Sequence, residues 1–219
     1  MGYFRELPNL QYQSPFTDRI SSSSYVIAKN IFRRMKIRDD LKDIFSVFNK
    51  YEIDDGDRPD TVAYDLYGKS NLDWVVLLTA NIINVYNEWP LTSKELYDYS
   101  VSKYGLTEIN KVKHYETTEV KNNRNMIVLP KGKIVDKDFK IPDPNDFKNE
   151  TTNEINPVKG VTYYEYETEI NNKKRTIDVL RREYLQQFLN DIRNEMIYKR
   201  SSQFVNDKLI KTENTRVTN

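Results

Sequence analysis

The sequence predicts an α+β fold in which a helical segment is followed by β-hairpins packed with a long C-terminal amphipathic helix. Three observations carry this. From Asp57 to Gly105, helix start and stop signals follow one another. From Tyr115 to Leu180, apolar and polar residues partly alternate around Asn-rich turns. From Asp178 to Arg200, apolar residues recur at the 3.6 period.

Each element has its own grounds. Residues 1–24 read as an extended arm, because Tyr3, Phe4, Leu7, Leu10, Tyr12 and Phe16 are interrupted by Pro8 and Pro15 and show neither period. In residues 25–40, Ile27, Ile31 and Met35 fit a helix, although the β-branched content also allows a strand. The cluster Arg33, Arg34, Lys36 and Arg38 suits a solvated face better than a phosphate site, because Asp39, Asp40 and Asp43 follow it. Phe45–Ile53 reads as a half-buried strand. Asp57 then stands as an N-cap before Pro59, a residue the first helical turn tolerates. Val62, Ala63, Leu66 and Tyr67 form the apolar stripe, and Gly68 ends the helix. Ser70 or Asn71 caps a second helix, apolar nearly all round through Trp74, Val75, Leu77, Leu78 and Ile82, and hence buried. Thr92 or Ser93 with Glu95 makes a capping box for a third, ending at Tyr104-Gly105.

In the second half, Tyr115–Val120 and Asn125–Leu129 read as a hairpin. Tyr115–Leu129 and Tyr166–Leu180 share Tyr-Glu-Thr, a central Arg and a final Val-Leu, the pattern of a repeated hairpin. Asp136–Gly160, between them, is a loop or insertion. Leu185, Phe188, Leu189, Ile192 and Met196 line one face of the final helix, and Glu195 with Lys199 makes an i,i+4 pair. Ser201–Asn219 is a polar tail. The domains are expected at 1–40 (arm and connection), 41–105, 106–200 and 201–219.

Composition narrows the function. Of 219 residues 38% are hydrophobic and 31% charged, with 16 tyrosines, so much of the surface meets water or polar partners. The formal net charge of +1 supplies no global field for nucleic acid or an anionic membrane. The longest apolar run, Trp74–Leu78, is far too short to span a bilayer. There is no cysteine and one histidine, His114, so thiolate metal sites, disulfides and a Cys–His pair cannot be built within this sequence. Glycines are scattered singly, with no phosphate-cradling loop. The dense acidic stretch Asp54, Asp55, Asp57, Asp60 fails the spacing of a calcium loop: counting from Asp54, Gly56 is third and Asp65 twelfth. Carboxylates in a turn among basic residues ionise normally and make a poor acid–base pair. The stretch is read as a surface turn opening a helix. No catalytic residue, metal or cofactor is expected.

The stretch from Tyr51 resembles the LysM module, a small β-α-α-β unit. Its signature residues have counterparts in Gly56-Asp57, Val62-Ala63, Tyr67-Gly68 and Ala80-Asn81, and Pro59 and Trp74 are similar to the variant in phage tail and baseplate proteins. The likeness continues through "EWPLTSKELYDYSVSKYG" (Glu88–Gly105) and "YLQQFLNDIRNEM" (Tyr184–Met196). It resembles the baseplate wedge proteins of T-even-like contractile-tailed bacteriophages that carry a LysM-like domain, most firmly over Tyr51–Gly105. The resemblance implies a LysM-like domain at 41–105 and a non-enzymatic, structural role: joining wedge subunits around the hub of a sixfold tail baseplate. It implies a virion protein, made in the host bacterial cytoplasm, whose partners are other wedge and hub proteins. Gly56, Asp57, Pro59, Ala63, Tyr67, Gly68, Trp74 and Asn81 are then structural, while Tyr3, Phe4, Tyr12, Phe16, Tyr86 and Trp89 are candidates for partner contact. The alternative is a LysM-type peptidoglycan-binding module, with Tyr86 and Trp89 stacking on sugar rings. The expected second strand, at Asn84–Pro90, lacks the ending usual in glycan-binding modules, which weighs against it.

Overall fold

The computed structural model describes residues 2–13, 25–37, 47–145 and 153–212. The chain divides into two compact units: Met1–Trp89 with Thr176–Asn219, and Pro90–Arg175. Pro90–Tyr104 therefore lies with the hairpins that follow it.

In the first unit, α1 (Tyr3–Glu6) leads into β1 (Asn9–Gln13), and β2 (Tyr25–Lys29) returns beside it. The chain's far end supplies β12 (Phe204–Asn206) and β13 (Leu209–Lys211). The sheet order is β12-β13-β1-β2. β1 pairs parallel with β13 (Asn9↔Leu209) and antiparallel with β2 (Asn9↔Lys29). Two expectations are corrected here. Over residues 2–13, the described part of the expected arm, β1 is an inner strand and Leu7, only 2% exposed, sits in the core; residues 14–24 lie outside the described residues. Within the described part of the polar tail, residues 201–212, the apolar Phe204, Leu209 and Ile210 lie in a paired hairpin. The helix expected over 25–40 is likewise overturned. Tyr25–Lys29 is a strand, its β-branched residues finding a partner in β1.

The same unit holds β3 (Phe48–Glu52), α2 (Pro59–Tyr67), a 3₁₀ turn at Ser70–Leu72, α3 (Asp73–Thr79) and α4 (Val85–Glu88). Pro59 opens α2, and Gly68 closes it at φ 73° with its N–H on the Tyr64 carbonyl, as expected. The N-cap is Arg58, not Asp57, and neither Ser70 nor Asn71 caps α3, because the 3₁₀ turn comes between. α2 buries Val62, Ala63 and Tyr67, and α3 buries Trp74, Val75, Val76 and Thr79. They face β3 and β11 (Thr176–Leu180), which pair antiparallel from Thr176↔Glu52 to Leu180↔Phe48. Across that pair Lys50 meets Asp178 at 2.8 Å. The order is thus β3, α2, α3 and α4, with the closing strand β11 arriving only after Arg175. α7 (Leu185–Glu195) covers the same core through Leu189 and Ile192, with Met196 beyond its end. The long helix expected from Asp178 is shorter, because Ile177 and Val179 alternate into the core as a strand. Lys199 lies past the helix end, so the i,i+4 pair with Glu195 has no helix to set it.

The second unit begins with α5 (Ser93–Tyr104), whose capping box is Thr92 and Glu95. β4 (Val112–Thr117) is the middle of a three-stranded sheet between β7 (Ile134–Val135) and β10 (Val158–Thr162). β5 (Val120–Lys121) pairs with β6 (Ile127–Leu129), and β8 (Ile141–Pro142) with β9 (Glu154–Ile155), so 136–160 is not a plain loop. Gly160 stands where an added Cβ would meet Val112 at 3.2 Å, and β10 lies close against β4 there. The repeated hairpin is a further correction: Tyr163–Arg175 is a helix, α6. Thr162 and Glu165 start it with a second capping box. The Thr162 hydroxyl accepts from the Glu165 N–H at 3.1 Å, and the Glu165 carboxylate accepts from the Thr162 N–H at 2.9 Å.

Candidate interaction surfaces

The aspartate stretch forms a turn. Gly56 takes φ 92°, and the Asp57 N–H donates to the Asp54 carbonyl at 3.2 Å. Asp60 pairs with Arg58 at 3.2 Å. The Tyr51 hydroxyl is held above the usual tyrosine range by burial first, and further by the charges of Asp57, Asp65 and Asp54. Among the described residues no group of three or more His, Asp or Glu could hold a metal ion, and no helix is long and apolar enough to cross a membrane.

The residues matched to the LysM signature fall in different settings, with Gly56 and Asn81 exposed and Asp57 and Pro59 half-buried. Ala63, Tyr67 and Trp74 are buried, and Asn81 takes φ 57° just after α3. The Tyr67 hydroxyl donates to the Leu180 carbonyl at 2.9 Å, tying α2 to β11, and burial pushes its pKa up. Asp57 contributes its carbonyl, which accepts from the Trp89 indole N–H at 2.8 Å.

The candidate contact residues separate into two kinds. Tyr86 is 93% exposed and Phe4 is also open to solvent. Tyr3 packs its ring 5.7 Å from that of Trp74, and Tyr12 is half-buried on β1. Trp89 is 7% exposed, so its ring is core and presents no face for a partner or a sugar. Phe16 lies outside the described residues, as does Arg38.

Several sites carry no signal that spacing alone reveals. The Arg33 guanidinium donates to the Met196 carbonyl at 3.1 Å, beyond the C-terminus of α7, and stacks over Tyr198. Arg193 and Glu6 pair at 2.9 Å across 187 residues of chain and hold α1 to α7. In the second unit Glu167 has a side chain 6% exposed, yet accepts from Lys103 at 2.8 Å and Tyr104 at 2.6 Å. Burial pushes its carboxyl up, but the hydrogen bonds from Lys103 and Tyr104 outweigh that and hold it below the usual carboxylate range. The same contact pushes Lys103 and Tyr104 up. One turn on, Asn171 donates to the Leu91 carbonyl at 2.9 Å and accepts from the Leu91 N–H at 2.8 Å. Glu167 and Asn171 lie four apart on α6, a helical spacing that the hairpin reading of this segment hid.

These polar clusters act as caps, turns and clamps, while Tyr86 and Phe4 leave large apolar side chains exposed. A family model described as base plate wedge protein 53 matches residues 10–194. The chain belongs to that family, and its role is a structural one, with other baseplate proteins, in a bacteriophage tail. A search of curated proteins returned no match.

Proposed function

We propose that this chain joins wedge subunits around the central hub of a sixfold baseplate in a T-even-like contractile tail, and that it is made in the host cytoplasm. The observation that carries the proposal is the family match over 10–194, which spans both compact units. We read the LysM-like module, expected at 41–105, as β3, α2 and α3 completed by β11 rather than by a strand at Asn84–Pro90. In this reading the module is a packing scaffold, and Phe4 and Tyr86 are contact side chains. Peptidoglycan binding is the weaker reading, because the core position of Trp89 leaves only Tyr86 of the two sugar-stacking candidates.

The test is reconstitution. Purified wedge proteins of the same phage are mixed with and without this chain, and closure into six-membered rings is followed by electron microscopy and sedimentation. Closure is expected only with the chain present, and Phe4→Ala with Tyr86→Ala should lower its yield. Equal closure without the chain overturns the joining role. Pelleting of the chain with insoluble cell wall would favour the glycan reading.

A further inference from the structure

β5 and β6 form a two-stranded ribbon, with Val120 opposite Leu129 and Lys121 opposite Ile127. Its turn is fixed by the Asn122 side chain, whose oxygen accepts from the N–H groups of Arg124 and Met126, both at 3.0 Å, and by Asn125 at φ 62°. Among the described residues no other strand pairs with the ribbon. An isolated two-stranded ribbon is marginal by itself. Its second strand is also unusual for an edge. Met126, Ile127 and Val128 are 55%, 56% and 51% exposed. The register shifts between Val120 and Lys121, so Val128 is the extra residue of a bulge, yet Ile127 and Val128 each leave about half of a β-branched side chain in water. Free edges are normally guarded by charge, proline or a bulge on the strand itself, and of these the described strand carries only the bulge beside its exposed apolar side chains. Here the charge lies beyond the strand. Residues 119–134 carry one carboxylate, Glu119, and four cations, Lys121, Arg124, Lys131 and Lys133. Glu119 is taken by Lys121 at 2.7 Å.

We propose that β6 is an acceptor edge, completed in the baseplate by an extended segment of another baseplate protein. That segment pairs along Ile127–Leu129 and brings apolar side chains flanked by carboxylates toward Arg124, Lys131 and Lys133. A second copy of this chain is the poorer occupant, since pairing β6 with itself would set those cations against one another. The inference rests on the chain's place among other baseplate proteins and adds the surface by which one of them is held.

The experiment uses the full chain and purified baseplate particles from phage lacking it. Amide exchange at residues 126–129 is compared in the free chain and in the particle; protection should rise roughly tenfold or more on incorporation. Ile127→Asp and Val128→Asp, and Lys131→Glu with Lys133→Glu, should each lower incorporation while the free chain keeps its circular dichroism and melting temperature. Val128→Ile, which keeps the apolar surface, should incorporate normally. Unchanged exchange at β6 in the particle, wild-type incorporation of the Asp variants, or self-association through β6 overturns the proposal. If wild type enters the particle and the Asp variants enter equally, the ribbon inference alone fails. If wild type does not enter at all, the baseplate reading fails with it.

Discussion

Glu167 shows how one residue decides a local structure. Its carboxylate lies between α5 and α6 and stays ionised because Lys103 and Tyr104 supply hydrogen bonds that water otherwise would. Its pKa is lowered on folding, so it contributes stability that is fully present above the ordinary carboxylate range and is lost as pH falls through the depressed value. Glu167→Gln should destabilise the chain at neutral pH by about 1.5–3 kcal/mol, the range for a hydrogen bond to a charged group. The difference in melting temperature from wild type should shrink as pH falls through the acid range; a constant difference would show that the charge is not the stabilising feature. This contact was not legible from the sequence, since nothing local marks Glu167 apart from the other acidic residues of a helix read as a hairpin. Pro59 and Gly68 were legible, because their backbone preferences act whatever packs around them.

Among the elements, α5 and α6 begin with the same device. Thr92 with Glu95, and Thr162 with Glu165, each satisfy two backbone donors at a helix start. The N–H of Thr162, and then Lys159, hold Glu165 below the usual carboxylate range. Thr92→Ala and Thr162→Ala should each lower stability by about 1 kcal/mol, read as the shift in denaturation midpoint at constant slope. The two effects should add, because each removes its own cap. A change in midpoint within error for either variant would remove that box from the account. The first box was recognised in the sequence. The second carries the same Thr-x-x-Glu pattern but was masked by the likeness between Tyr115–Leu129 and Tyr166–Leu180. That likeness is in letters only, since the first stretch makes strands and the second a helix followed by a strand.

For the whole chain, the first unit is built from sequence ends. Asn9 donates its N–H to Lys208 at 2.7 Å, Thr212 donates to Gln11 at 2.8 Å, and Leu7 fills the core. Deleting residues 2–13 therefore removes an inner strand and should sharply lower the melting temperature, where a free arm could be lost without effect. Thermal unfolding of the truncated chain checks this, and an unchanged midpoint would return the arm to solvent. The contact role of Phe4 is accordingly better tested by single substitution.

What the sequence determined by itself was local: the α+β class and the helix limits set by Pro59, Gly68, Thr92 and Gly105. Such signals act through backbone conformation and capping within a turn or two, so a reading along the chain captures them. The tertiary structure alone decided the pairings: β3 with β11 and β1 with β13. Tyr25–Lys29 became a strand, and Trp89 a core residue rather than a contact. A short β-branched segment has no fixed fate until a partner strand takes its hydrogen bonds; for Tyr25–Lys29 that partner is the nearby β1, and for β11 it is β3, more than a hundred residues earlier in the chain. An aromatic ring, likewise, is core or surface according to what else must be buried beside it.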